Sequence, residues 1–355
     1  MDHKTKVNQA CRWCLWVALM CAACAEDQGP LAPNTNPPPG SDTVRIPLTD
    51  MGARTYRGFP GGLYPNGNEL SSAHLAAGLV RSSRIQPLDA NGQPSPNGRY
   101  VLLSIGMSNT TQEFCSGAVT NCAPWSFAGQ AAADGAVNHA TLAIVDGARG
   151  GQTADTWDAP TDANYDLIRD QRLAARGVTE RQVQVVWMKV AHSQPRSALP
   201  NVDADARLLA RRMADIARAL KARYPNLQQV FASSRIYAGY ATTTLNPEPY
   251  AFESGLAVKW VIEAQIAQVA SGAASAGEYG DLSYERAAPW LAWGPYLWAD
   301  GSSPRSDGLS WLISDLQNDG THPSQSGQQK VGRELLQFFK TSPVTRCWFL
   351  ASAGC

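Results

Sequence analysis

Residues 100–110 read YVLLSIGMSNT, and how this stretch is read decides the fold. It is a short apolar run over 101–105 that stops abruptly at Gly106, Met107, Ser108 and Asn109. Too short for a helix and ended by a turn residue, such a run predicts a fully buried strand. A serine just past the carboxyl end of a buried strand sits where open α/β sheets place their ligands. Its hydroxyl would face a crevice, with backbone N–H groups of the turn beside it. Ser108 is therefore a candidate nucleophile, although serines after strands are also common turn residues.

Working outward, strands and helices alternate. Residues 139–146 (HATLAIVD), 182–190 (QVQVVWMKV) and 227–237 read as further strands. Residues 162–176 have helical spacing, 250–270 form a long helix, and 324–340 the last one. Residues 202–224 are amphipathic, with Leu208, Leu209, Met213, Ile216 and Leu220 on one face. This order predicts a mainly parallel sheet covered on both faces, a three-layer α/β/α sandwich. No internal repeat is visible. The expected division is an export signal (1–25), a flexible linker (26–42), an irregular extension packed on the main domain (43–98), the main domain (99–345) and a tail (346–355).

Composition excludes several partners. Lysine plus arginine balance aspartate plus glutamate at 30 each, so no basic field exists to hold nucleic acid or an anionic membrane surface. With 44% hydrophobic residues, a sizeable core can form. Near the amino terminus Lys4, Lys6 and Arg12 precede an apolar stretch at 14–23, the pattern of a signal peptide too short to span a bilayer. Two exits stay open: cleavage at Ala23-Cys24-Ala25, or a lipoprotein-type box at 21–24 whose Cys24 is lipidated and anchors the chain to a membrane. The box lacks the usual leucine at its first position. Either way export is expected, to a bacterial periplasm, cell surface or medium. The proline-rich 26–42 would be the tether. Four cysteines lie beyond the leader, close in pairs, and suggest local disulfides Cys115–Cys122 and Cys347–Cys355 in an oxidising compartment. No histidine lies near either pair, so no metal is expected.

The second informative stretch is NDGTHPSQSG at 318–327. Asp319 and His322 stand three apart just before a helix, a spacing that can turn both into one crevice. In a Ser-His-Asp arrangement the histidine takes the serine's proton while the carboxylate fixes its tautomer. Together, GMSN after an early strand and DGTHPS before the final helix resemble the SGNH hydrolases, also called GDSL-type esterases, a resemblance spanning 99–340. It implies a flavodoxin-like fold, Ser108 as nucleophile, His322 as general base, Asp319 as its partner and no cofactor. The second family block is matched by DGARGGQT at 146–153, which puts the backbone N–H of Gly151 with that of Ser108 in an oxyanion hole.

The third block departs from the family. Its oxyanion-hole asparagine falls on His192 and its aspartate on Ser193, in VAHS. An imidazole N–H can donate in the asparagine's place; Lys189 and Asn109 are rival donors. His139 and His74 have no aspartate at useful spacing and are expected to be structural. The aromatic stretch 290–311, with Trp290, Trp293 and Trp298, is expected to contribute a pocket wall that binds substrate together with Asn109, and the loop 115–122 to shape the pocket from beside the nucleophile. The implied activity is hydrolysis of a short acyl ester, small or carbohydrate-borne, through an acyl-enzyme. Acyl transfer on the same triad and non-catalytic carbohydrate binding are the alternatives.

Overall fold

In the computed structural model of the chain, residues 43–284 and 286–353 are described. The export signal, the linker, Cys24 and Cys355 fall outside them.

Five parallel strands form the central sheet: β3 (Tyr100–Gly106), β4 (Leu142–Asp146), β5 (Val183–Lys189), β6 (Gln229–Ala232) and β7 (Trp290–Trp293), after a short antiparallel hairpin, β1 (Thr55–Tyr56) and β2 (Phe59–Pro60). Their order is β4-β3-β5-β6-β7. The chain runs from β3 to β4 on one side and then crosses to β5 on the other. That reversal opens a crevice at the carboxyl ends of β3 and β5, where doubly wound sheets bind ligands.

Seven helices matter here: α1 (Ser72–Ser82), α2 (Ser108–Phe114), α3 (Phe127–Ala133), α4 (Ala163–Leu167), α5 (Asp205–Arg223), α6 (Tyr250–Ser271) and α7 (Gln325–Thr341). The two-residue period of the strands sorts them into layers. Val101, Leu103 and Ile105 of β3 face a core shared with Leu209, Met213 and Leu220 of α5 and Leu256 of α6. Tyr100 and Leu102 face the opposite core, with Phe114 of α2, Phe127 of α3, and Leu335 and Phe339 of α7. Both faces of β3 are thus covered, which is why its sequence is a run and not an alternation. Each fully buried aliphatic side chain there contributes about 1.5–3 kcal/mol.

Three expectations need correction. The helix expected over 162–176 is α4 followed by wider π-type turns, Ile168–Leu173. The fourth strand is shorter than 227–237, because the chain leaves the sheet after Ala232 toward the crevice. More consequentially, Trp290 and Trp293 open and close a fifth strand. Trp290 and Trp298 are fully buried and Trp293 is 3% exposed, so all three serve the core and form no pocket wall.

The edge strand β7 is covered by the amino-terminal region. The Trp290 indole donates to His74 O at 3.1 Å, while the His74 ring bonds Leu291 O at 2.8 Å. Gly78 lies so close to Trp290 that a Cβ would come within 2.5 Å of its ring. Farther along, Trp293 Nε1 donates to Leu63 O at 2.6 Å and its backbone N–H to the Tyr64 hydroxyl at 3.2 Å. An exposed strand edge invites pairing with another chain, and here residues 63–78 satisfy it. No described helix is long and apolar enough to cross a membrane.

Candidate active site

The turn after β3 places the hydroxyl. Gly106 has φ +153°, and a Cβ there would lie 2.1 Å from Lys189 O, so the chain can pass β5 only as glycine. Thr110 closes the turn: its hydroxyl accepts from Met107 N at 3.2 Å and donates to Lys189 O at 2.7 Å. Ser108 is thereby held as the first residue of α2.

The loop before α7 brings the imidazole to it. Ser108 Oγ and His322 Nε2 are 2.8 Å apart, and His322 Nδ1 lies 2.5 Å from Asp319 Oδ2. The other carboxylate oxygen of Asp319 accepts the backbone N–H groups of Thr321 and His322 at 2.9 and 3.0 Å. Burial pushes the Asp319 carboxyl up, but hydrogen bonds from the His322 ring and these amides outweigh it and hold it below the usual range. The loop needs Gly320, at φ +62°, because a Cβ there would lie 1.9 Å from Tyr240 O. Asn109 donates its amide to Thr321 O at 3.0 Å, tying the start of α2 to the histidine loop. That bond uses one of the two N–H groups of its amide and makes Asn109 a strap between the two segments.

Gly151 ends the turn after β4. Asp146 organises that turn: it accepts the Ser104 hydroxyl at 2.5 Å, the Thr111 hydroxyl, and Ala148 N at 3.2 Å. Burial pushes its carboxyl up to about 6. Gly151 has φ +76°, and a Cβ there would meet nothing within 4 Å. Its backbone therefore borders open space, while Gly150 beside it approaches Ser108 (3.8 Å from an added Cβ to the Ser108 Cβ).

The third segment brings His192. Its Nδ1 lies 2.9 Å from Asp205 Oδ1, in the first turn of α5, and its buried Nε2 has no hydrogen-bond partner among the described residues. Lys189, the rival donor, is excluded. It is fully buried and its ammonium contacts both carboxylate oxygens of Glu113 at 2.5 Å. Both are fully buried and paired with each other, which leaves neither to face a ligand; burial lowers Lys189 to about 8 and raises Glu113.

Ser108, Gly151, His192 and His322 line one cavity of about 410 Å³, together with Arg235 and Asn246. Trp290, Trp293 and Trp298 do not. Neither does the loop tied by the Cys115–Cys122 disulfide, which borders a separate cavity and braces α7 through the Ser116 hydroxyl bonded to Gln328 at 2.7 Å. The Cys347–Cys355 pairing depends on Cys355, which lies outside the described residues. Sequence reasoning missed Asp205, Arg235 and Asn246. Asp205 carried a faint signal, an acid opening an amphipathic helix, but helix dipoles account for many such acids. No group of three or more metal-binding side chains is found among the described residues.

No family model matches the chain, and no curated protein matches it. Among solved structures it is similar to one named as an SGNH hydrolase from Slackia heliotrinireducens (TM-score 0.36, 18% identity, covering 68% of this chain and 99% of that one). Another is a carbohydrate esterase family 2 enzyme with a carbohydrate-binding domain from Corynascus thermopiles (TM-score 0.36, 12% identity, 68% and 66% covered). A third is named as a GDSL-like lipase from Parabacteroides merdae (TM-score 0.36, 10% identity, 71% and 97% covered). At these identities and TM-scores the likeness says nothing about chemistry, which rests on the atoms described above. By architecture, the chain is a three-layer α/β/α protein that resembles SGNH-type hydrolase structures.

Proposed function

We propose that the chain is an exported serine esterase that cleaves short acyl esters, small or carbohydrate-borne, through an acyl-enzyme. The observation that carries this reading is the row of hydroxyl, imidazole and carboxylate, Ser108–His322–Asp319, opening onto a cavity. Ser108 Oγ attacks the ester carbonyl carbon while His322 Nε2 takes its proton. The tetrahedral intermediate collapses as His322 returns that proton to the leaving alkoxide. Water, deprotonated by the same imidazole, then attacks the acyl carbon and frees Ser108. Asp319 holds His322 Nδ1–H and stabilises the imidazolium. The carbonyl oxygen becomes an oxyanion, received by the backbone N–H groups of Ser108 and Gly151 and by His192 Nε2–H. The Cys115–Cys122 disulfide is compatible with the exported setting, and Cys24 would provide a lipid anchor.

His192 also favours one second reading. With Nδ1–H given to Asp205, a neutral imidazole has a bare Nε2, which accepts; only the imidazolium donates from both nitrogens. The donor role therefore requires protonated His192. The neutral form would instead deprotonate an acceptor hydroxyl, which suits acyl transfer to a sugar.

The test is turnover of 4-nitrophenyl acetate by wild type and Ser108→Ala. Wild type is expected to release nitrophenol, and the variant to lose roughly 10⁴-fold or more of kcat. Absence of turnover in both, with both folded, overturns the enzyme reading. Product analysis with an added sugar acceptor separates hydrolysis from transfer.

A further inference from the structure

The cavity holds a cation for which the ester chemistry just described has no use. Arg235 follows β6 at the carboxyl edge of the sheet, its backbone N–H fixed by the Ser254 hydroxyl at 3.0 Å. The residue lines the cavity with Ser108 and His322, yet is only 2% exposed. Nε and Nη2 have no hydrogen-bond partner among the described residues, and Nη1 meets only the Met107 thioether at 3.8 Å.

The carboxylates whose charge reaches the guanidinium, Glu113, Glu248 and Asp319, are all engaged elsewhere. Glu113 is paired with Lys189, and Asp319 holds His322. Glu248 accepts the Trp298 indole at 2.7 Å and backbone N–H groups of Ala238 and Phe252, both at 3.1 Å. Burying an unpaired guanidinium is costly, and a chain that keeps one at a ligand cavity gains when a ligand supplies the missing acceptor. Arginine's planar fork fits a carboxylate through two parallel N–H···O bonds. Met107, whose thioether contacts Nη1, also lines the cavity, and its unbranched, flexible side chain can turn aside.

We propose that Arg235 binds a carboxylate carried by the substrate, so that the site selects anionic esters over neutral ones of the same size. The turnover test rests on the esterase reading; the binding test does not. For a carboxylate on the acyl half, 4-nitrophenyl hydrogen succinate is compared with 4-nitrophenyl butyrate. For the alcohol half, 3-acetoxybenzoate is compared with phenyl acetate.

Wild type is expected to favour the anionic member of one pair by about 10–100-fold in kcat/KM, the range of a charge-assisted hydrogen bond. Arg235→Met should lower the anionic rate far more than the neutral one, and Arg235→Lys should keep part of the preference. Independently, succinate or 3-hydroxybenzoate should bind Ser108→Ala in calorimetry, and adding Arg235→Met should abolish that binding. If Arg235→Met does not fold, the wild-type preference and the lysine variant decide. Equal kcat/KM within both pairs together with no carboxylate binding overturns the proposal, as does an equal loss on both members in folded Arg235→Met. Carboxylate binding that depends on Arg235 without turnover of any ester keeps the anion site and removes the esterase reading.

Discussion

Two imidazoles border the same cavity, each backed by an aspartate, and they are not equivalent. His322 and Asp319 come from one loop, three residues apart, and His322 Nε2 meets the Ser108 hydroxyl at 2.8 Å. His192 and Asp205 come from different elements, the turn after β5 and the start of α5, and His192 Nε2 meets no described residue. The donor sets match, so the difference lies in what each Nε2 faces. One Nε2 is placed against a serine hydroxyl, the other is buried without a partner among the described residues.

The largest effect expected from breaking this comparison is at His322. His322→Ala should lower kcat on 4-nitrophenyl acetate by roughly 10⁴-fold or more, because the proton then has no acceptor. A loss under tenfold would mean another base serves Ser108.

Next comes His192, where two variants sharpen the comparison. His192→Ala should cost about 10²–10³ in kcat, the price of one oxyanion donor. His192→Gln, which keeps a side-chain N–H but cannot act as a base, should recover much of that loss. If both variants hydrolyse normally but fail to pass the acyl group to an added sugar, His192 is the acceptor's base and acyl transfer is the better reading.

The smallest effect concerns two buried carboxylates elsewhere in the fold, set against Asp319. Asp319 sits below its usual range, whereas burial raises Asp146 to about 6 and raises Glu253, which accepts the Tyr56 hydroxyl at 3.0 Å from its place in α6, to about 7. A raised carboxyl keeps its proton in the folded state after the unfolded chain has lost it. Between about pH 4 and pH 7 the folded protein therefore binds more protons, and these two groups make stability fall as pH rises. Asp319 works in the opposite sense, and only as pH falls below 3.8, where its stabilisation is lost. In urea titrations, Glu253→Gln should flatten the pH 4 to 7 slope by about 1–3 kcal/mol. An unchanged slope would show that Glu253 ionises normally.

The difference between the two dyads also explains what was legible in the sequence. Ser108, Asp319 and His322 announce themselves locally, through a strand ending in GMS and a turn reading DGTH. Gly151 does so through a glycine pair. Arg235 reaches the cavity, and Asp205 reaches His192, only through the way β5, β6 and α5 come together at one edge of the sheet, which no local pattern encodes. The parallel order was readable from the alternation of elements; the fifth strand was not. Trp290–Trp293 has four residues between Pro289 and Gly294, and with both faces buried it shows no polar alternation. Its tryptophans then read as a binding surface, when the extension at 63–78 had in fact sealed them into the core.

The most direct test of the account is covalent. Wild type and His322→Ala are treated with a fluorophosphonate and digested, and the labelled peptide is located by mass spectrometry. The account predicts one adduct on wild type, at Ser108, and almost none on the variant. Labelling of a different residue in an active protein, or esterase turnover that survives Ser108→Ala, would contradict it.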